Sequence, residues 1–379
     1  MTIRRRHFMA ASCGATLGFH APAQARDSSG VLRLGQSLPL SGPHALLGTA
    51  FRASAVATFE ELSREGTGGN VPRIELISLD DAGQSERTAV NVKLLAAEHH
   101  VHALFGFVGS GADRVGARAA AVEQLPYVAP VSGSVELRTP RSPGTFTFRA
   151  GHAEEIRHIA RHAETVGLTR LALVYEYNFL GWELRDTMLE LIESGAQREV
   201  AMTSIDRQGS ADSLAGAIEA CLAKAPQAII LGGNAVASAA FVRAARAAGF
   251  KGLLYALSSV GSQGLGEQLG SLVSGISVTQ VVPFPLSGKS TVSRRHREFC
   301  ARNRIESSFH SMEAWIGATL FVEAMKRLRN IAPAAIAEAL TSAPAVGFGD
   351  YVGQWYASRP NARAFVSLAV YDRSGRLIE

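Results

Sequence analysis

Residues 101–138 carry the feature that most restricts how this chain can fold. A short apolar run, 101–108, is rich in β-formers and is broken by Gly109-Ser110-Gly111. Helical spacing with small residues then covers 115–124, with Asp113 placed to cap it. A second apolar run, 126–131, ends in Ser132-Gly133-Ser134. Two such runs joined by a helix make a strand–helix–strand unit, because parallel strands need a crossover of this kind. Both Gly/Ser loops then fall at the carboxyl ends of their strands, the edge at which open α/β sheets bind ligands. Ser110 also stands before a helix N-terminus, where free N–H groups and the dipole favour an anion.

Residues 227–261 repeat that order: an apolar strand, Gly232-Gly233-Asn234, an Ala-rich helix, another strand, and a Ser258-Ser259 loop. Two units with similar polar loops imply two similar lobes facing across a cleft, and 379 residues suit two α/β domains better than one. The expected fold class is α/β: two similar lobes with parallel sheets flanked by helices, joined by hinge strands near 146–150 and 278–284. Residues 31–149 with 281–348 are expected to form the first lobe. Residues 150–280 with 349–379 are expected to form the second.

The N-terminus reads as an export signal over residues 1–25. Arg4-Arg5-Arg6 precedes a short apolar stretch, and Ala23-Gln24-Ala25 offers a cleavage site after Ala25. Arg5-Arg6 followed by His7-Phe8-Met9 resembles the twin-arginine signal, so the mature protein is expected in the periplasm. A lipoprotein reading through Cys13 would rest on a very short apolar run. No later run reaches about 18 apolar residues, so no mature membrane span is expected. These arginines supply much of the net charge of +5, and no basic stripe interleaves with aromatics, which argues against nucleic acid as a partner. Cys221 and Cys300 remain after the signal. They can pair in an oxidising compartment, but buried free thiols on two different helices are the expectation, and no C-x-x-C suggests a metal or redox site.

Catalytic motifs are missing: there is no G-x-S-x-G, no G-x-x-x-x-G-K-[ST] and no H-E-x-x-H. His158 and His162 are four apart on a helical stretch that begins with Glu154 and Glu155, but acid–His pairs at this spacing belong more often to a solvated face than to a metal. His99, His100 and His102 read as surface residues at a helix-to-strand junction. Asp80-Asp81, at a strand end, are expected to bind backbone N–H groups rather than to act as acid and base. No metal and no cofactor are expected.

Several segments, taken together, are similar to a known family. They are Gly35-Gln36-Ser37-Leu38-Pro39-Leu40-Ser41-Gly42-Pro43, Asp80-Asp81, Leu104-Phe105-Gly106, Ala129-Pro130-Val131-Ser132-Gly133-Ser134 with Glu136-Leu137, and Gly232-Gly233. In order and spacing the chain resembles the type I periplasmic solute-binding proteins, specifically the leucine/isoleucine/valine-binding family served by ABC transporters. The resemblance implies a non-enzymatic protein that captures a small carboxylate-bearing ligand, amino-acid-like or an organic acid. It would then deliver that ligand to a permease in the inner membrane.

The resemblance also implies the site. Ser110, Ser132 and Gly133 would hold the ligand's carboxylate, with Gly133 standing where the family often has threonine. Leu47 and Leu180 replace expected aromatic walls, and Asn234 replaces an expected tyrosine. Ser258 stands where an acid would neutralise a ligand ammonium, which favours a ligand without one. A sensor of the same fold signalling to a membrane receptor is the alternative. A hydrolase using Ser110 or Ser132 lacks a credible base.

Overall fold

In the computed structural model, residues 30–42, 44–64, 71–138, 142–195, 201–260, 262–357 and 364–379 are described, and the expected signal over residues 1–25 lies outside them. The first half runs β1 (Val31–Leu38), α1 (Ala45–Arg64), β2 (Arg73–Asp80), α2 (Ser85–Ala97), β3 (Ala103–Phe105), α3 (Ser110–Val122), β4 (Tyr127–Val128) and β5 (Thr145–Phe146). It continues through α4 (His152–Thr165), β6 (Leu171–Glu176), α5 (Phe179–Glu193), β7 (Ala201–Ile205), α6 (Ala211–Leu222), β8 (Ala228–Gly232), α7 (Ala235–Ala247) and β9 (Leu253–Ala256). The last third holds α8 (Ser262–Leu269), β10 (Ile276–Gln280), α9 (Thr291–Asn303), α10 (Phe309–Met325), α11 (Pro333–Thr341), β11 (Val346–Gly347), β12 (Val352–Gly353), β13 (Ser367–Tyr371) and β14 (Leu377–Ile378).

Two larger sheets follow. One has the order β2-β1-β3-β4-β5 and the other β14-β13-β10-β9-β8-β6-β7. All pairs in the first are parallel, as the helical crossovers require. The second is parallel as expected from β10 to β7, and two antiparallel strands are added at its edge: β13 runs antiparallel to β10, and β14 antiparallel to β13. A strand that returns from the other lobe has no helix behind it to set a parallel direction.

Each sheet has its own apolar core. The first gathers Phe59, Phe105 and Phe321 edge to face, with Phe59 and Phe105 centroids 5.2 Å apart. Its helix α10 is apolar almost all round and accordingly buried almost all round. The second core gathers Leu173, Ile230, Phe241 and Leu254.

Chain crossings occur where Phe148 (first core) gives way to Ile156 (second), and where Val278 (second) gives way to Val282 (first). A third crossing lies between Phe365, packed on the first core, and Ser367 at the start of β13. Tyr351 and Trp355 pack in the first core, whereas the sequence reading put residues from 349 onward in the second lobe. Short β11 and β12 pair with each other, and this segment is held to α10 through Phe348, which packs on Trp315, and to α9 through Asp350, which accepts from Thr291 N and Val292 N.

Cys221 on α6 and Cys300 on α9 are buried and free. Burial pushes both thiols up to about 11, which keeps them protonated and inert. Among the described residues no helix is long and apolar enough to cross a membrane.

Candidate functional site

Strand ends from both sheets meet at a cleft. Its cavity of about 140 Å³ is lined by Leu47, by Val108 and Gly109 after β3, and by Val131, Ser132 and Gly133 after β4. From the crossings and the second sheet come Arg149, His152, Ser258, Ser259, Gln280, Val281 and Val282. Phe309, His310 and Glu313 on α10 close it.

Local chemistry places these groups. Asp80 accepts from Leu40 N at 2.8 Å, Ser41 N at 3.2 Å and Ser41 Oγ, so the strand-end carboxylate folds the loop after β1, as expected. The Ser41 hydroxyl, helped by these amides, holds the Asp80 carboxyl down at about 2. Gly48 lets α1 press on that loop, because a Cβ there would meet Pro39 O at 1.9 Å, and Leu47 is thereby set on the cleft wall. Gly109 adopts φ 108°, a conformation open to glycine, just before α3 starts at Ser110.

The charged groups form one buried network. Arg149 Nη1 donates to Glu313 Oε1 at 3.2 Å, and Nη2 to Ser258 Oγ at 3.1 Å. Ser258 in turn donates from N and Oγ to Glu155 at 2.8 and 2.9 Å, and the Thr279 hydroxyl donates to the same carboxylate. Burial raises the Glu313 carboxyl while Arg149 opposes that rise. Burial, with Arg149 nearby, lowers His310 to about 4 and so keeps it neutral. Among the described residues, three buried groups beside the cavity lack hydrogen-bond partners: Arg149 Nε, Gln280 Nε2 and the His152 ring.

Of the residues expected from sequence, Leu47, Ser132, Gly133 and Ser258 come together at the cavity. Ser110 begins α3 beside Gly109, and its side chain lies outside the described atoms. Leu180 and Asn234 do not line the cavity. Leu180 packs against the second core. Asn234 caps α7 by accepting from Ala237 N at 3.0 Å, and it donates to Glu176 and to Arg207 O.

Sequence reasoning missed Arg149, His152, Glu155, Gln280 and Glu313. Glu155, read as part of a solvated face, is fully buried. His162 pairs with Tyr255 Oη at 2.8 Å, and among the described residues no group of three metal-ligating side chains exists. The one signal available for Arg149 and Glu155 was their position beside an expected lobe crossing.

A family model described as periplasmic binding protein matches residues 31–372. No curated protein sequence matches the chain. Among solved structures, a possible leucine/isoleucine/valine-binding protein from Rhodopirellula baltica SH 1 superposes with TM-score 0.80 at 25% identity, over 95% of this chain and 98% of that one. A substrate-binding periplasmic protein from Ralstonia solanacearum gives 0.75 at 29% identity, over 92% and 99%. A leucine binding protein from Thermotoga maritima MSB8 gives 0.74 at 17% identity, over 92% and 97%, a likeness that speaks to the fold alone.

Proposed function

The chain belongs to the periplasmic binding protein family, and from that membership we propose that it is the exported solute-binding component of an ABC transporter. In this reading it closes its lobes on a small carboxylate-bearing ligand and presents it to a permease in the inner membrane. It binds without turnover, so the ligand is recovered chemically unchanged.

The observation that carries the ligand class is how the cleft's charges are already committed. Glu155 and Glu313, the acids an ammonium would need, are engaged by Ser258, Thr279 and Arg149. Donors on Arg149, Gln280 and His152 are left unpaired, and an unpaired buried donor costs about 1–3 kcal/mol. Such a site favours a ligand rich in acceptors. Ser132, Gly133 and the backbone at Gly109-Ser110 are the proposed holders of its carboxylate.

Leu47, Val108, Val131, Val282 and Phe309 supply an apolar wall for its body. A cavity of about 150 Å³ holds benzene, so an apolar body of up to about six carbons suits this one, with the carboxylate on the loops beside it. The Rhodopirellula structure, named as a possible leucine/isoleucine/valine-binding protein, supports a small ligand, but the committed acids favour a short organic acid over an α-amino acid.

Calorimetry against the standard amino acids and a panel of short organic acids tests this. Binding of one or more acids, with leucine weak or silent, is expected. Submicromolar leucine binding would overturn the ligand class, and silence toward every carboxylate would overturn the carboxylate reading itself.

A further inference from the structure

One residue of the second lobe reaches the carboxylate loop of the first. His152, at the start of α4, donates its backbone N–H to Gly133 O at 2.9 Å. Its ring then covers the Gly133 Cα. A Cβ at residue 133 would lie 2.4 Å from the ring Cδ2 and 2.7 Å from Nε2, closer than packed atoms approach. Residue 133 therefore cannot carry a side chain while the imidazole is in place. The imidazole occupies the room that such a side chain would take.

The ring is buried, with its side chain only 2% exposed. Neither nitrogen has a hydrogen-bond partner, although the residue lines the cavity. Nδ1 stands 3.6 Å from Glu183 Oε2 on α5. Glu183 is itself fixed by the loop that follows Gly133: it accepts from Ser134 Oγ at 2.7 Å and from Val135 N at 3.2 Å. The carboxylate faces one side of the ring. The other nitrogen, Nε2, lies at the Ser132-Gly133 loop.

We propose that His152 is a specificity residue of the ligand site, donating from Nε2 to the ligand's carboxylate where a side chain at residue 133 would otherwise reach it. The inference rests on the carboxylate reading above. Glu183, 3.6 Å from Nδ1, orients the ring. The anion subsite then belongs to both lobes: hydroxyl and backbone groups from the first, an imidazole from the second. A ligand with a free carboxylate is selected over its amide, because a hydrogen bond to an ionised acceptor is stronger than one to a neutral acceptor.

The test uses acid–amide pairs as probes: isobutyrate and isobutyramide, isovalerate and isovaleramide, benzoate and benzamide. Calorimetry on the wild type should show at least one acid bound about tenfold more tightly than its amide. His152→Ala should lose about that factor for the acid and little for the amide. Gly133→Thr in the His152→Ala background should recover most of the acid's affinity, because the emptied space accepts the hydroxyl side chain.

His152→Gln, which keeps a neutral donor, serves if the alanine variant melts early, and it should fall between the two. Unchanged acid affinity in the His152 variants would overturn the inference, as would an equal loss for acid and amide. A wild type that binds no acid in a screen extended to the whole organic-acid panel would overturn the underlying reading instead.

Discussion

Arg149 Nη1 and Glu313 Oε1 lie 3.2 Å apart, with both side chains less than a tenth exposed. The pair ties the first crossing to α10, while the other end of the same guanidinium reaches Ser258 in the second lobe. A single side chain at the base of the cleft thus touches both halves of the molecule.

Breaking that pair should be expensive. Glu313→Ala leaves a buried, uncompensated guanidinium, and losing one partner of a buried pair costs about 3–5 kcal/mol. The double variant Arg149→Met/Glu313→Leu should recover most of this in urea unfolding. A loss under about 1 kcal/mol in the single variant would mean that water reaches the pair.

Acid should weaken the fold through His296. Burial among Phe299, Trp315 and Cys300 lowers its imidazole to about 4. The unfolded chain takes up that proton near about 6.5, so the stability His296 contributes is present above that pH and is lost as pH falls toward 4. The size is about 3 kcal/mol. His296→Phe should flatten the stability–pH curve between pH 6.5 and 4, with His310 leaving a residual slope. An unaltered curve would place the acid sensitivity elsewhere.

A further contact joins the lobes. The Arg114 guanidinium of α3 stands 3.7 Å over the Phe179 ring at the start of α5. Phe179→Ala should weaken closure by about 1 kcal/mol. Since apparent affinity scales with the closed fraction, a several-fold weaker Kd and a larger radius of gyration without ligand are expected. Equal scattering curves for variant and wild type would show that the contact does not govern closure.

Export is expected through the twin-arginine route, from Arg5-Arg6 before a weakly apolar stretch and Ala23-Gln24-Ala25. Replacing both arginines with lysine should strand precursor in the cytoplasm. Normal export of that variant would point to the general secretion route.

Much of the architecture was legible in the sequence, because alternation of strand and helix is a local signal. The loops at Ser132-Gly133 and Ser258-Ser259 were found for the same reason: Gly/Ser clusters end apolar runs. The charged floor of the cleft was not legible. Arg149 and Glu313 are separated by 164 residues, and each alone looks like an ordinary polar helix or strand-end residue. Glu155 sits at a spacing that fits a solvated face, and only packing of α4 beneath Ser258 reveals it as buried. Strand direction was hidden too, since alternation in residues 364–371 marks a strand without saying which way it pairs.

The first core also dictates an order of assembly on the ribosome. It spans Leu32 to Trp355, and α10 fills its centre. Nearly the whole chain must therefore be translated before that core can close. Most of the second core lies between Ile156 and Val278 and emerges earlier, awaiting only its two last strands. For much of synthesis the apolar faces of β1, β3 and α1 lack the α10 side chains, Phe321 among them, that complete their packing, which leaves the nascent N-terminal half prone to aggregation.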